Sequence, residues 1–124
     1  MNPKVVMVAR IILGLIFAIF GPNKLFRFID MRPSEGEAAA FTGALAETGY
    51  FLIFLGIVEV VCGILLLLNK YTRLATIVLL PVTINIVLFH LALTPATGGL
   101  GYLTFVMNLV LVVAYKEDYK GMLK

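Results

Sequence analysis

Four runs of apolar residues, separated by short polar or turn-forming stretches, make up most of the chain. The first runs from about Pro3 to Phe28, and Pro3 suits the first turn of a helix, where its missing N–H is no loss. Arg10 lies early in this run, and Gly14 and Ala18 form a small-xxx-small pair on the face that also carries Arg10, Gly21 and Lys24. Such a face lets a second helix approach closely. Gly21-Pro22-Asn23 interrupts the pattern; Pro22 removes a backbone donor and frees the carbonyl of Ala18, which predicts a kink or break. Arg32–Gly49 is the longest polar connection. Ser34 and Glu37 are spaced as a capping box, and the residues after them predict a short amphipathic helix with Ala38, Phe41 and Leu45 on one side. It would lie on a membrane surface or cap the helices; a partly ordered loop is the other reading.

The second run, Gly49–Leu68, is long enough to cross a bilayer, which takes about 20 apolar residues. Its one charge, Glu59, sits near the middle and shares a helical face with Gly56, Cys62 and Gly63, opposite a face of Leu, Ile and Val. A carboxylate at that depth costs about 2.5–3.5 kcal/mol on insertion scales, so it needs a buried partner or a proton. Asn69–Thr72 reads as a tight turn. The third run, about Arg73–Leu93, has Pro81 as a central kink and places Thr83 and His90 on one face, with Asn85 pointing elsewhere. After the turn TPATGG, the fourth run, about Leu100–Tyr115, has Gly101, Thr104 and Asn108 on one face. The tail KEDYKGMLK reads as charged and solvated.

Composition decides what these runs are for. At 124 residues, 61 % hydrophobic and 14 % charged, with mean hydropathy +1.04, the chain carries more apolar surface than a small soluble domain can hide. It reads as a single-domain, all-α integral membrane protein: a four-helix bundle with spans near 3–28, 49–68, 73–93 and 100–115, and a short extracytoplasmic helix between the first two. The net charge of +3 has no basic cluster behind it and is a topology signal, not a nucleic-acid footprint. Lys4, Lys70, Arg73, Lys116, Lys120 and Lys124 flank one side. Lys24, Arg27 and Arg32, mixed with Asp30, Glu35, Glu37 and Glu47, flank the other. Both termini are therefore expected in the cytoplasm. The Ala44-Leu45-Ala46 stretch lies too far downstream, behind charged residues, for signal-peptide cleavage. The lone Cys62 allows no internal disulfide or CxxC pair, and reads as a small packing residue.

At about 1.5 Å rise per residue, Glu59, Thr83, Asn85 and Asn108 fall near mid-membrane. Lys24, His90 and Tyr102 fall nearer the outer surface. Arg10 falls about two turns to the cytoplasmic side of Glu59, and an extended arginine closes much of that gap. The interior thus reads as a polar column, with Glu59 and His90 as candidate catalytic residues and Lys24, Arg10 and Asn85 as candidate ligand-binding residues. The plainer readings are a structural ion pair between Glu59 and Arg10 or Lys24, an ordinary hydrogen-bonded His90, and interhelical hydrogen bonding by Asn85 and Asn108. One Glu, one His and one Cys at separate depths make a poor metal site, so none is expected. No phosphate loop or nucleophile elbow occurs.

ARIILGLIFAIFGPNKLF, GIVEVVCGILLLL and NIVLFHL, in this order, resemble the DoxX family of small four-helix bacterial membrane proteins. The residues that carry the resemblance are Arg10, Gly14, Gly21, Lys24, Glu59, Gly63 and His90; the fourth run and the tail match least. The resemblance implies the bacterial cytoplasmic membrane. Through a similarity to the DoxD subunit of an archaeal thiosulfate:quinone oxidoreductase, it also implies a quinone-facing redox role. Eukaryotic relatives act in cargo handling and receptor assembly, which implies a different task. The first expectation is therefore a redox-associated membrane protein that binds a quinone or small sulfur compound in an outward-facing polar cavity lined by Lys24, Glu59 and His90. Glu59 would exchange a proton, Lys24 or Arg10 would steady its charge, and His90 would hydrogen-bond a carbonyl or pass the proton outward. No side chain here carries electrons alone, so a quinone or a partner redox subunit would have to. The alternative is a non-catalytic scaffold or assembly factor that uses the Gly14/Ala18 and Gly56/Gly63 surfaces; a transporter, working as a homo-oligomer, comes third.

Overall fold

The computed structural model describes residues 2–26, 36–93 and 99–123. They form helices α1 (Pro3–Phe26), α2 (Gly36–Glu47), α3 (Phe51–Leu68), α4 (Thr72–Leu93), α5 (Gly99–Ala114) and α6 (Lys116–Tyr119), followed by a 3-10 turn over Lys120–Leu123. No strand occurs among the described residues. The side chain of Asn2 caps α1 by accepting a hydrogen bond from the Lys4 amide at 2.8 Å, which leaves Pro3 in the first turn where it costs nothing. The proposed capping residue Ser34, and the basic positions Arg27 and Arg32, lie outside the described residues.

α1, α3 and α4 are each long and apolar enough to cross a membrane. α5 joins them as a fourth candidate if it is counted with the segment Lys116–Met122, from which it is bent by 72°. α1 packs on α3, α3 on α4, α4 on α5 and α5 on α1, with α2 resting against α3 and α4. The polarity of this arrangement is inverted relative to a soluble protein. Val8, Leu15, Ile57, Ile64, Leu88 and Val106 face outward, while Glu59, Thr76, Thr83 and Asn108 are fully buried. An apolar exterior costs nothing when the surroundings are lipid, and every polar group then needs a partner inside. Leu13, Phe17, Leu66, Leu79 and Leu111 fill the centre, with Cys62 packed among them.

α1 and α3 are antiparallel and touch backbone to backbone. A Cβ on Gly63 would lie 2.7 Å from the amide nitrogen of Ala18, and one on Gly14 would lie 3.0 Å from the carbonyl oxygen of Gly63. The small residues of the two runs are thus spent on each other. α3 ends where Asn69 turns left-handed (φ 56°), with the Asn69 amide donating to Leu66 O at 3.2 Å and the Lys70 amide donating to Leu65 O at 3.0 Å. These bonds satisfy carbonyls that a helix end leaves open and turn the chain tightly into α4.

Two expectations are corrected. Of the kink or break expected at Gly21-Pro22-Asn23, the break does not occur: α1 continues as a helix through Pro22 to Phe26, since a proline forfeits one helical hydrogen bond and packing on α3 outweighs that local loss. The tail is not simply solvated. Tyr119 is buried, and its hydroxyl donates to Arg73 O at 2.7 Å. Arg73 pairs with Asp118 at 2.7 Å and sits 4.8 Å over the Tyr115 ring. α6 therefore folds back onto the start of α4.

Candidate functional site

Glu59 lies on the α3 face that meets α1, one turn from Gly56 and one from Gly63. Lys24 lies one turn beyond Gly21 on the facing side of α1. A Cβ on Gly21 would stand 2.7 Å from Val60 Cγ2 and 3.0 Å from Gly56 O, so only glycine permits the interhelical distance found here. That distance brings the Lys24 ammonium to 2.8 Å from Glu59 Oε1, where it donates a charge-assisted hydrogen bond. The Glu59 side chain is fully buried and that of Lys24 is 28 % exposed. The lysine therefore reaches from the end of α1 into the protein instead of outward to solvent. Attraction between opposite charges in a low-dielectric interior offsets the cost of removing the carboxylate from water.

Among the described residues the pairing is incomplete. Glu59 Oε2 is buried and meets no hydrogen-bond partner there, and the same holds for His90 Nδ1. A buried polar atom left open is uncommon and calls for a reason. His90 sits in the last turn of α4, at the end of the protein where Lys24 also lies. Its ring rests on Gly101 of α5, where a Cβ would stand 2.9 Å from Cδ2. Phe89 and Tyr102 flank it, with ring centroids 5.2 and 6.2 Å away. Phe89 in turn meets Phe41 of α2 at 5.5 Å. Gly101 thus makes the room for the imidazole, a pairing between α4 and α5 that no local periodicity could reveal.

The other candidate residues are placed elsewhere. Arg10 donates to the carbonyl oxygens of Leu66 and Leu67, the latter at 3.3 Å. It satisfies the C-terminal end of α3 instead of reaching Glu59, since open carbonyls at a helix terminus attract a cation. Asn85 is exposed on the outer side of α4. Asn108 is fully buried; its Oδ1 accepts from Thr83 Oγ1 at 2.8 Å and its Nδ2 donates to Thr76 O at 3.1 Å. It is a link between α4 and α5. Of the five residues expected at the site, the structure joins Lys24 and Glu59, sets His90 at the same end on α4, and separates Arg10 and Asn85 from both.

A family model described as DoxX matches residues 5–92. The chain belongs to the DoxX family. The matched region holds α1 to α4, with Arg10, Lys24, Glu59 and His90, and stops before α5 and the folded-back tail. The chain is also 28 % identical over 123 residues to the uncharacterized protein YwoB of Bacillus subtilis, an alignment covering 93 % of this chain and 79 % of that protein. No solved structure matches. DoxX membership together with the long apolar helices makes this a membrane protein in contact with lipid.

Proposed function

We propose that this DoxX protein is a four-span bundle of the bacterial cytoplasmic membrane. Both termini and the α3–α4 turn face the cytoplasm, and α2 lies outside. In this reading it holds a small redox molecule, a quinone and its quinol or a small sulfur compound, at Lys24 and Glu59 in the outer half of the membrane. One observation carries the reading: the fully buried carboxylate of Glu59 has one oxygen on Lys24 and the other without a partner among the described residues. An open acceptor in a water-poor interior suits a ligand hydroxyl or thiol, and buried ionisable groups in spans are functional by default.

The chain's own residues then have distinct tasks. Lys24 fixes the carboxylate and balances its charge. Glu59 accepts the ligand's hydrogen bond and can hold its proton. His90 supplies a second polar atom at the same end, and its place near the end of α4 suits passage of a proton outward. A bound quinone would supply the electron-carrying chemistry that no side chain here possesses, and a partner redox subunit would exchange electrons with it.

The alternative, a scaffold or assembly factor, draws less support. The small-residue surfaces it would offer a partner, on Gly14, Ala18, Gly56 and Gly63, are occupied by the α1–α3 contact. The deciding experiment is mass spectrometry of small molecules retained by protein purified in mild detergent, wild type against Glu59→Gln, with folding checked in both. A quinone or sulfur compound held by wild type and lost from the variant supports the site. Bulk lipid alone in both samples, with folding intact, sinks it in favour of the assembly role.

A further inference from the structure

α4 carries a second polar feature, outside the site and independent of the reading above. Leu74, Val78, Pro81, Asn85, Leu88 and Ala92 follow one another at intervals of four, three, four, three and four residues, and all six are exposed. This is the a/d spacing of a heptad seam running the length of the helix. Asn85 stands 13 residues from Thr72 and eight from Leu93, so at about 1.5 Å per residue it lies more than 10 Å from either helix end. Among the described residues, it is the one polar side chain exposed in the interior of a candidate span; the outward faces of α1, α3 and α5 are apolar at that depth.

A carboxamide facing hydrocarbon has two donor hydrogens and an acceptor oxygen with nothing to meet them. Lipid tails cannot serve, and water is scarce at this depth. The partner must therefore present both a donor and an acceptor at the depth of Asn85. A second copy inserted in the same orientation meets this condition through symmetry: a two-fold axis along the membrane normal sets its own Asn85 at the same level. A carboxamide is complementary to itself, so the two can exchange a pair of hydrogen bonds. The 3.5-residue repeat keeps the rest of the seam in register along a left-handed helix pair. One asparagine in an apolar seam is a known way of fixing register and partner number.

We propose that α4 is the seam of a parallel homodimer, with Asn85 of each copy hydrogen-bonded to its counterpart. The proposal concerns the outward face of α4 and stands or falls apart from any ligand at Glu59.

The test is cysteine cross-linking of the full-length protein in native membranes, in a Cys62→Ala background that removes the sole cysteine. Single cysteines replace Val78 or Leu88 on the seam, and Ile57 on α3 or Val106 on α5 away from it. Oxidation should yield covalent dimer of twice the chain mass at positions 78 and 88, and little at 57 and 106. Adding Asn85→Leu should lower the seam cross-link about tenfold, in line with the worth of interhelical polar pairs in membranes, while Asn85→Gln should retain most of it. Energy transfer between fluorescently tagged copies with Cys62 intact gives the same comparison without the cysteine changes. Equal cross-linking on all faces, an adduct to a different protein, or a dimer indifferent to Asn85→Leu would each overturn the proposal.

Discussion

The Lys24 ammonium lies 2.8 Å from Glu59 Oε1, and the two ends of the pair are unequally exposed, the lysine by 28 % and the glutamate not at all. The two single substitutions should therefore differ. Lys24→Met strands a carboxylate with no route to water, and breaking a buried pair in this way costs about 3–5 kcal/mol. Glu59→Gln leaves an ammonium that can turn outward, and should cost about 1–2 kcal/mol. The double variant should recover much of the loss seen in Lys24→Met. Denaturant unfolding in detergent of all four proteins checks the order; equal losses in the two single variants would contradict it.

The backbone contact between α1 and α3 yields a second ranking. Gly63→Ala drives a Cβ against main chain at 2.7 Å from the Ala18 nitrogen, which cannot swing aside, and should cost about 1–3 kcal/mol. Gly21→Ala meets the Val60 side chain and backbone and should, in addition, move Lys24 off Glu59. Gly43→Ala, with nothing within 4 Å of its Cβ, should be neutral or slightly stabilising, because alanine favours helix by up to about 1 kcal/mol over glycine. Thermal melts of the three variants give the comparison.

Asn108 links α4 and α5 through Thr83 and the carbonyl of Thr76. Thr83→Val and Asn108→Leu should each destabilise by about 0.6 kcal/mol, the average for polar pairs between membrane helices, and by no more than about 1.7 kcal/mol, the largest value found. Their double variant should lose less than the sum, because both changes remove the same bond. Strict additivity in unfolding experiments would mean that the bond contributes little.

The folded-back tail should respond to alkali. Burial pushes the Tyr119 phenol above its usual value of 10.0, so the folded state favours the protonated form that donates to Arg73 O. The sign follows from linkage: the stabilisation is complete below the ordinary tyrosine value and is lost as pH rises through the raised one. Protease cleavage of the tail should speed up above that range in wild type. Tyr119→Phe should weaken tail docking by about 1 kcal/mol at neutral pH and remove the alkaline step. The Arg73–Asp118 pair, about half exposed at each end, should add at most about 1 kcal/mol and fade with salt.

Much of the arrangement around Glu59 is local in origin and therefore readable along the chain. Helical periodicity alone sets Gly56, Glu59, Cys62 and Gly63 on one face, and the same four are buried together in α3. It also sets Gly101, Thr104 and Asn108 on the buried face of α5, and turns Asn85 away from Thr83. Hydropathy is summed over a run and survives any detail of packing, so the long apolar helices are determined by the sequence by itself.

What periodicity could not decide is which cation meets Glu59. Arg10 and Lys24 share a face of α1, and periodicity alone leaves both as candidate partners. The choice depends on how far α1 slides along α3, and that is fixed where Gly21 meets Gly56 and where Gly14 and Ala18 meet Gly63. In that register Arg10 falls beside the open carbonyls of Leu66 and Leu67 and Lys24 falls beside the carboxylate. Continuity of α1 through Pro22 and docking of Tyr119 on Arg73 have the same origin. In each case a local preference, to break or to stay in water, is outweighed by contacts between segments far apart in the chain. Such contacts exist only once the helices are packed.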